Sequence, residues 1–232
     1  KGLIYEGKYI LPYCPRCATV LSTHELAQGY KEKQDPAITI RFKVTKAPSA
    51  IDDSSMTDGK TYFLAWTTTP WTLPSNLGLC MGPEIDYVKI LDKESGDHYI
   101  LAESRLHAYY KSEDAYQIVY KRPGKDFIGA EYEPLFPYFA ELKDSSACSE
   151  KSGEPCKTGA FRMFNADYVS TEDGTGIVHI APAFGEDDSK VFRGSGVPFV
   201  EPIDAECRFT KEVSDWEGVF VKDADKDIMD RL

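Results

Sequence analysis

The clearest pattern along the chain is an alternation of apolar and polar residues, which predicts β-strands. Between residues 38 and 44 every second residue is apolar, the period expected of a half-buried strand; these residues are Ile38, Ile40, Phe42 and Val44. Similar runs bounded by turn residues predict strands at 61–68, 86–91, 98–102, 116–121, 161–169 and 176–181. A β-ribbon is predicted at 3–13 and a loop at 46–60. β-structure therefore dominates the prediction.

Helical signals are fewer. They predict one helix near 102–112 and one across 223–232. A third helix is predicted to begin at Glu186 to Asp188, where acidic residues suit a helix N-terminus. There is no βαβ rhythm and no internal repeat. Residues 143–159 are small, polar and rich in turn formers, so we expect a mobile insertion there. We predict a ribbon linker at 1–35, a main domain at 36–222 and a C-terminal helix at 223–232.

Composition narrows the class of protein. The chain has 232 residues, of which 42% are hydrophobic, enough to fill a core. Its net charge of −11 argues against a broadly basic nucleic-acid surface, so any RNA should be held weakly. No apolar run reaches the roughly 18 residues of a membrane span, and the start lacks a secretory signal. We therefore expect a cytoplasmic protein without a membrane partner.

The cysteines and the first residue add two expectations. Six cysteines with uneven spacing are too sparse for a disulfide scaffold and suggest reduced thiols. Cys14 and Cys17 form a CxxC pair, which is half of a tetrahedral zinc site. Cys148 and Cys156 have the wrong spacing to complete it. The chain begins at Lys1 rather than at a methionine, so we expect a segment taken from a longer protein.

The first candidate for chemistry is the segment WTTTPWTLPSN, residues 66–76. Pro70 ends strand pairing and favours an extended Thr69. Threonine hydroxyls and free N–H groups at such a strand end can grip a carbonyl or a ribose hydroxyl, while the threonine methyls measure apolar shape. The alternative is that three consecutive threonines are simply good β-sequence.

The second candidate is GTGIVHIAPAFGEDD, residues 174–188. His179 lies on a predicted strand, and Asp188 lies at the start of the next predicted helix. A reversal between Pro182 and Gly185 would bring both to one pocket, where Asp188 can bind an ammonium group. The alternatives are a satisfied core histidine and an ordinary acidic helix start.

Several familiar motifs are absent. The sequence contains no GxGxxG, no GxxxxGK[ST], no GxSxG and no HExxH, and the glycines at 174–176 are therefore not a dinucleotide fingerprint. A dinucleotide site, a phosphate loop and a serine-hydrolase elbow are not indicated.

Together the two segments closely resemble the editing insertion of isoleucyl-tRNA synthetase, called connective polypeptide 1 or CP1. WTTTPWTLPSN is similar to its threonine-rich motif, GTGIVHIAPAFGEDD to its second editing motif, and LPYCPRCATVLSTHELAQGYKE to the stretch that introduces the insertion. The valine and leucine relatives carry a TTRP-type motif, whereas Pro70 here directly follows Thr69. The resemblance implies a distorted β-barrel with short peripheral helices and an N-terminal β-ribbon, a β-rich α+β fold.

The resemblance also implies roles for individual residues. Thr67, Thr68 and Thr69 would line the pocket, His179 would contact the ester and exclude larger side chains, and Asp188 would hold the amino group. Further substrate-binding candidates by motif position are Trp71, Asn76, Gly176 and Phe184. The implied reaction is hydrolysis of valine from misacylated tRNA(Ile), by direct attack of water because no nucleophile set is evident. The implied partners are the valine-charged 3′ end of tRNA(Ile) and the rest of the synthetase.

The HIGH and KMSKS motifs of the parent family are missing, so we expect no aminoacyl-adenylate formation. No cofactor is expected within the chain itself. Zinc at Cys14 and Cys17 would need ligands that the resemblance places beyond Leu232. Two other interpretations stay open: a non-catalytic module that cradles the acceptor end of tRNA, and an unrelated zinc-knuckle β-protein that binds partners.

Overall fold

The computed structural model describes residues 8–32, 34–147 and 159–232. Residues 3–7 of the predicted ribbon and 148–158 of the predicted insertion, with Cys148 and Cys156, lie outside the described residues. The strands are β1 Tyr13–Cys14, β2 Thr19–Val20, β3 Ile38–Lys46, β4 Thr61–Thr67, β5 Gly78–Met81, β6 Asp86–Asp92, β7 His98–Ala102, β8 Tyr116–Pro123, β9 Glu131–Tyr132, β10 Arg162–Asn165 and β11 Ile177–Ile180.

The helices are short and peripheral. The α-helices are α1 Thr23–Ala27, α2 Leu106–Tyr109, α3 Glu186–Phe192 and α4 Asp225–Asp230. The 3-10 helices are Ser54–Thr57, Pro70–Ser75, Glu103–Arg105, Glu113–Ala115, Gly124–Phe127, Ala140–Lys143, Lys211–Trp216 and Val221–Ala224. No helix in the described ranges is long and apolar enough to cross a membrane.

Six strands close into a barrel. Their order is β11, β5, β10, β9, β3 and β4, and a further pairing of β11 with β4 closes the ring. The pairing is mixed: β10 with β5 and β11 with β4 are parallel, and the other barrel contacts are antiparallel. Strands β7, β6 and β8 continue the sheet outward from β4. The predicted β-rich α+β barrel is confirmed.

Alternation in β3 explains the barrel interior. Ile40, Phe42 and Val44 are buried, whereas Thr39 and Arg41 face outward, as the period of two predicts. The same apolar core reaches the C-terminal helix, where Ala224 and Ile228 are fully buried. The predicted unit 223–232 therefore packs on the core of the main domain, and the predicted domain boundaries stay predictions.

The structure corrects several predicted elements. The strand predicted at 161–169 is only Arg162–Asn165, because the chain turns at 166–169. The helix predicted at 102–112 is a 3-10 turn followed by the four-residue α2. In the ribbon predicted at 3–13, residues 8–12 form no strand, and the ribbon pairs β1 with β2 around the CxxC turn. The loop predicted at 46–60 contains the last residue of β3, which extends to Lys46, and the 3-10 helix Ser54–Thr57.

Strand β5 is absent from the sequence prediction. All four of its residues are buried, so it lacks the alternation that reveals a half-exposed strand. Gly78 at its start is required by space: a Cβ there would lie 2.9 Å from the ring of Phe192. Because β5 pairs with both β10 and β11, it joins the two halves of the barrel wall.

Candidate active site

Strands β4 and β11 lie side by side and place the two sequence motifs together. They pair in parallel, with Trp66 opposite Val178. Because parallel neighbours run in the same direction, the residues after Trp66 lie beside the residues after Val178. The threonine segment is therefore next to His179, although 107 residues separate Thr72 from His179.

Hydroxyl groups tie the threonine segment into a compact turn. Pro70 opens the 3-10 helix, where a missing N–H costs nothing. The Thr67 hydroxyl accepts a hydrogen bond from the Thr69 N–H at 3.1 Å and lies 3.2 Å from the Thr69 hydroxyl. The Thr72 hydroxyl donates to the Thr69 carbonyl at 2.8 Å. Thr68 is exposed at the rim, so its side chain is open to a ligand.

His179 is buried beside this turn, with 6% of its surface exposed. Its Nε2 atom lies 2.9 Å from the Thr72 hydroxyl. Since Thr72 donates its only hydroxyl hydrogen to Thr69, Nε2 must donate, and Nδ1 then holds the lone pair. Nδ1 is buried and has no hydrogen-bond partner among the described residues. Burial lowers the pKa of His179 to about 4, so the ring is neutral at pH 7.

Asp188 turns inward from the first turn of α3, unlike its neighbours. Glu186 and Asp187 are exposed and both pair with Lys190 at 3.0 Å. The Asp188 Oδ2 atom accepts a hydrogen bond from the Ala181 N–H at 3.0 Å. Burial raises the pKa of Asp188 to about 6. The group is therefore a mostly ionised carboxylate at pH 7 that lacks full solvation.

The threonine turn, His179 and Asp188 share one small cleft. Its volume is about 270 Å³, just below the roughly 300 Å³ at which ordinary ligand pockets begin. Its wall contains hydroxyls, one carboxylate, one imidazole and apolar surface, from Trp66, Thr67, Thr68, Thr69, Thr72, Val178, His179, Ala181, Phe184 and Asp188. The arrangement suits a small ligand with an apolar part, a cationic group and a polar centre between them.

Trp71 and Phe184 lie between this cleft and a larger groove. Their rings meet edge to face with centroids 4.7 Å apart. Both line a groove of about 790 Å³, and Phe184 also lines the cleft. The Trp71 N–H donates to the Asp225 carboxylate at 2.9 Å, which ties the threonine turn to the C-terminal helix.

Three of the four candidate substrate-binding residues lie outside the cleft lining: Trp71, described above, and also Asn76 and Gly176. The Asn76 amide is buried, donates to the Gly78 carbonyl at 2.8 Å and accepts from the Tyr132 hydroxyl at 2.6 Å. Gly176 has a positive φ of 77°, and a Cβ there would lie 2.6 Å from the Cβ of Ala102. Asn76 and Gly176 therefore have structural roles, because the Asn76 amide already binds other groups of the protein and Gly176 has no room for a side chain.

The structure adds cleft residues that the sequence did not single out. Thr72 and Trp66 belong to the threonine segment 66–76, but the sequence analysis assigned no role to them. The position of Val178 in the cleft wall can be inferred only once its pairing with Trp66 is known. Outside the cleft lining, the Tyr168 hydroxyl lies 3.4 Å from Asp188 Oδ1, and no sequence pattern indicates this contact.

The CxxC pair lies away from the cleft, on the ribbon. Cys14 and Cys17 are free thiols, as are Cys80 and Cys207 among the described residues. Hydrogen bonding from Cys17 lowers the pKa of the Cys14 thiol, which favours the thiolate that binds metals. No group of three or more metal-binding side chains occurs in the described ranges. The pair would supply two of the four ligands of a structural zinc, and the zinc site stays a prediction.

Known proteins resemble this chain over its whole length. No family model matches. Isoleucine–tRNA ligase of Treponema denticola is 54% identical over 245 aligned residues, and that of Tetrahymena thermophila is 46% identical over 238. Each alignment covers all of this chain but only 22% and 20% of the relative. The chain therefore spans about a fifth of the length of the curated relatives that it matches.

A solved structure supports the fold. The crystal structure of GlLeuRS-CP1 aligns with a TM-score of 0.54 and 15% identity, covering 84% of this chain and 94% of that one. At this identity the likeness concerns the fold alone. Since the relatives match the whole chain, the chain belongs to the isoleucyl-tRNA synthetase family as a segment with the fold of the CP1 editing domains.

Proposed function

We propose that this chain is a proofreading hydrolase that cleaves wrongly attached valine from tRNA(Ile). The observation that carries the proposal is the 270 Å³ cleft in which a carboxylate, Asp188, faces a threonine-lined turn. An aminoacyl ester presents a cationic amino group, an ester carbonyl and a ribose hydroxyl. The carboxylate of the cleft complements the amino group, and its hydroxyls complement the carbonyl and the ribose hydroxyl.

Asp188 binds the α-ammonium group in this proposal. A carboxylate accepts about four hydrogen bonds, and the described residues donate two to Asp188, from Ala181 and Tyr168. The remaining lone pairs are free for a charged donor. A partly desolvated ion pair is stronger than an exposed one, because the local dielectric is low.

The side chains in and near the cleft indicate how the ester is hydrolysed, because none of them is an activated nucleophile and several can bind water. Burial raises the pKa of the nearby Cys80 thiol to about 12, so Cys80 is not a thiolate nucleophile at pH 7. His179 is neutral and gives its Nε2 hydrogen to Thr72. Water therefore attacks the ester carbonyl directly; the bond from the carbonyl carbon to the ribose oxygen breaks, and a proton from the water passes to that oxygen, which releases valine and uncharged tRNA(Ile). The Thr67–Thr69 hydroxyls and adjacent N–H groups position that water and stabilise the developing oxyanion.

Size selects the substrate. Isoleucyl-tRNA synthetase is the standard case of this problem: one missing methylene is worth only about 1–3 kcal/mol, so valine enters an isoleucine site too often. A second, smaller site that admits valine and excludes isoleucine corrects the error. His179, fixed by Thr72 and by burial, is the rigid wall that sets this limit. The partners in the proposal are the 3′ end of tRNA(Ile) and the rest of the synthetase.

The test is deacylation of valyl-tRNA(Ile) by the chain and by two aspartate variants. Asp188→Ala should reduce hydrolysis by at least about a hundredfold, because a partly buried ammonium loses its partner. Asp187→Ala is the matched control, since Asp187 is the exposed neighbour on the same turn, and it should keep full activity. Circular dichroism checks that both variants are folded.

Two results would contradict the proposal. Undiminished hydrolysis by Asp188→Ala would remove the assigned role of the carboxylate. Binding of valyl-tRNA(Ile) without any turnover by the unchanged chain would identify a non-catalytic cradle instead.

A further inference from the structure

We infer that Tyr168 is a positioning residue that holds the Asp188 carboxylate in the orientation that receives the amino group. This inference rests on the proposed function and assigns a residue that neither sequence motif contains. Tyr168 lies in the turn after β10, 20 residues before Asp188. It does not line the cleft, so it acts through Asp188 rather than on the ligand.

Each oxygen of Asp188 has one donor. The Ala181 N–H holds Oδ2 at 3.0 Å, and the Tyr168 hydroxyl holds Oδ1 at 3.4 Å. The two donors come from different parts of the barrel, one just after β11 and one just after β10. A carboxylate fixed at both oxygens cannot rotate about its terminal bond. Each oxygen then keeps one lone pair directed at the cleft, where it can accept a hydrogen bond from the amino group of the ligand.

Gly185 makes this orientation possible. A Cβ on Gly185 would lie 2.8 Å from the Asp188 Cγ and 3.0 Å from Oδ2. The carboxylate therefore packs against the Gly185 backbone, and the two donors bind its two oxygens. Any larger residue at position 185 would push the carboxylate away from Ala181.

The Tyr168 hydroxyl is a permanent donor. Burial, together with the adjacent Asp188 carboxylate, raises the pKa of the phenol above its ordinary value, so the hydroxyl keeps its proton at physiological pH. Its hydrogen bond lowers the pKa of Asp188, which opposes the larger effect of burial. Tyr168 therefore also increases the fraction of Asp188 that is ionised near pH 6.

Other ionisable groups act on Asp188 from the elements packed around it. On α3, Asp187 raises the pKa of Asp188 by charge repulsion. On β5, the Cys80 thiol lies within reach of the Tyr168 hydroxyl and stays protonated because of burial. On β11, His179 lines the same cleft and is neutral. Of these groups, Tyr168 donates a hydrogen bond to Asp188 and the others do not.

The experiment compares Tyr168→Phe with Tyr110→Phe. Tyr110 is a matched control, because its hydroxyl also donates to an aspartate, Asp92, at 2.8 Å, but outside the cleft. For valyl-tRNA(Ile) deacylation we expect Tyr168→Phe to lower kcat/KM about tenfold at pH 6 and less at pH 8. Most of the loss should appear in KM, and Tyr110→Phe should match the unchanged chain at both pH values.

A second measurement does not depend on activity. Titration of the Asp188 carboxyl carbon by NMR should give a higher midpoint in Tyr168→Phe than in the unchanged chain, and an unchanged midpoint in Tyr110→Phe. An equal Asp188 midpoint in all three proteins, or an equal loss of activity at both pH values, would overturn the positioning role. An inactive unchanged chain with a shifted midpoint in Tyr168→Phe would instead refute the proposed function and keep the role of Tyr168.

Discussion

Asp188 is a residue that opposes stability. An aspartate whose pKa is raised in the folded state favours folding only where it is protonated, below the unfolded value of about 3.9. This contribution is lost as the pH rises through the folded value of about 6. At neutral pH the protein therefore holds a partly desolvated charge, which in the proposed function binds the ligand and does not stabilise the fold.

The variant Asp188→Asn tests this cost. The amide oxygen can still accept from the Ala181 N–H, but no charge is buried. The free energy of unfolding should rise by about 1–3 kcal/mol at pH 7.5, with little gain at pH 3.5, where aspartate is mostly protonated in both states. Urea unfolding at the two pH values measures this. Equal stability of the variant and the unchanged chain at pH 7.5 would contradict the assigned burial cost.

His179 sets the size limit in the proposed function. In His179→Ala the wall of the cleft is removed, so isoleucyl-tRNA(Ile) should be hydrolysed at least about tenfold faster than by the unchanged chain. The exposed His107, replaced by Ala, is the control and should leave isoleucyl-tRNA intact. A His179→Ala chain that still spares isoleucyl-tRNA would show that another side chain excludes isoleucine.

At the scale of elements, the C-terminal helix holds the threonine turn in place. Asp225 at the start of α4 accepts from the Trp71 N–H at 2.9 Å and from Lys222 at 3.2 Å. Lys222 also pairs with Asp35 at 3.2 Å, ahead of β3. Three distant parts of the chain therefore meet at the 3-10 helix that follows β4.

Asp225→Ala should loosen this turn. The partly buried Trp71 N–H loses its acceptor, which should lower the free energy of unfolding by about 1–3 kcal/mol and raise KM for valyl-tRNA(Ile). Thermal unfolding and steady-state deacylation measure the two effects. Asp225→Asn keeps an acceptor and should recover most of both, and Asp230→Ala, an exposed change on the same helix, should have neither. Normal stability of Asp225→Ala would contradict the role of this contact.

Comparison of the observed elements with the sequence predictions shows which patterns predict structure reliably. Half-exposed strands such as β3 were predictable, because one face is polar and one apolar. The fully buried β5 and the two-residue β9 were not, since neither carries a period of two. The start of α3 was visible in its acidic first turn. The inward turn of Asp188 was not visible, because Glu186, Asp187 and Asp188 are chemically alike.

At the scale of the whole molecule, the fold is a barrel with an added three-strand extension, and the cleft lies where the β4 and β11 ends meet. One apolar core extends from β3 to α4 and gives the cleft rigid walls. The net charge of −11 is consistent with a chain that reads the small aminoacyl group rather than the RNA backbone. The remaining four-fifths of the curated relatives lie outside this chain.

The sequence by itself determined the alternating strands, the proline that follows the threonines and prevents further strand pairing, and the residue types able to bind an ammonium and an ester. These are local properties, fixed by steric limits and side-chain chemistry. Only the tertiary structure decided that Trp66 pairs with Val178, that Thr72 fixes the proton on His179, and that Tyr168 holds Asp188. These contacts join residues far apart in the chain, and their energies depend on burial and register, which no local pattern encodes.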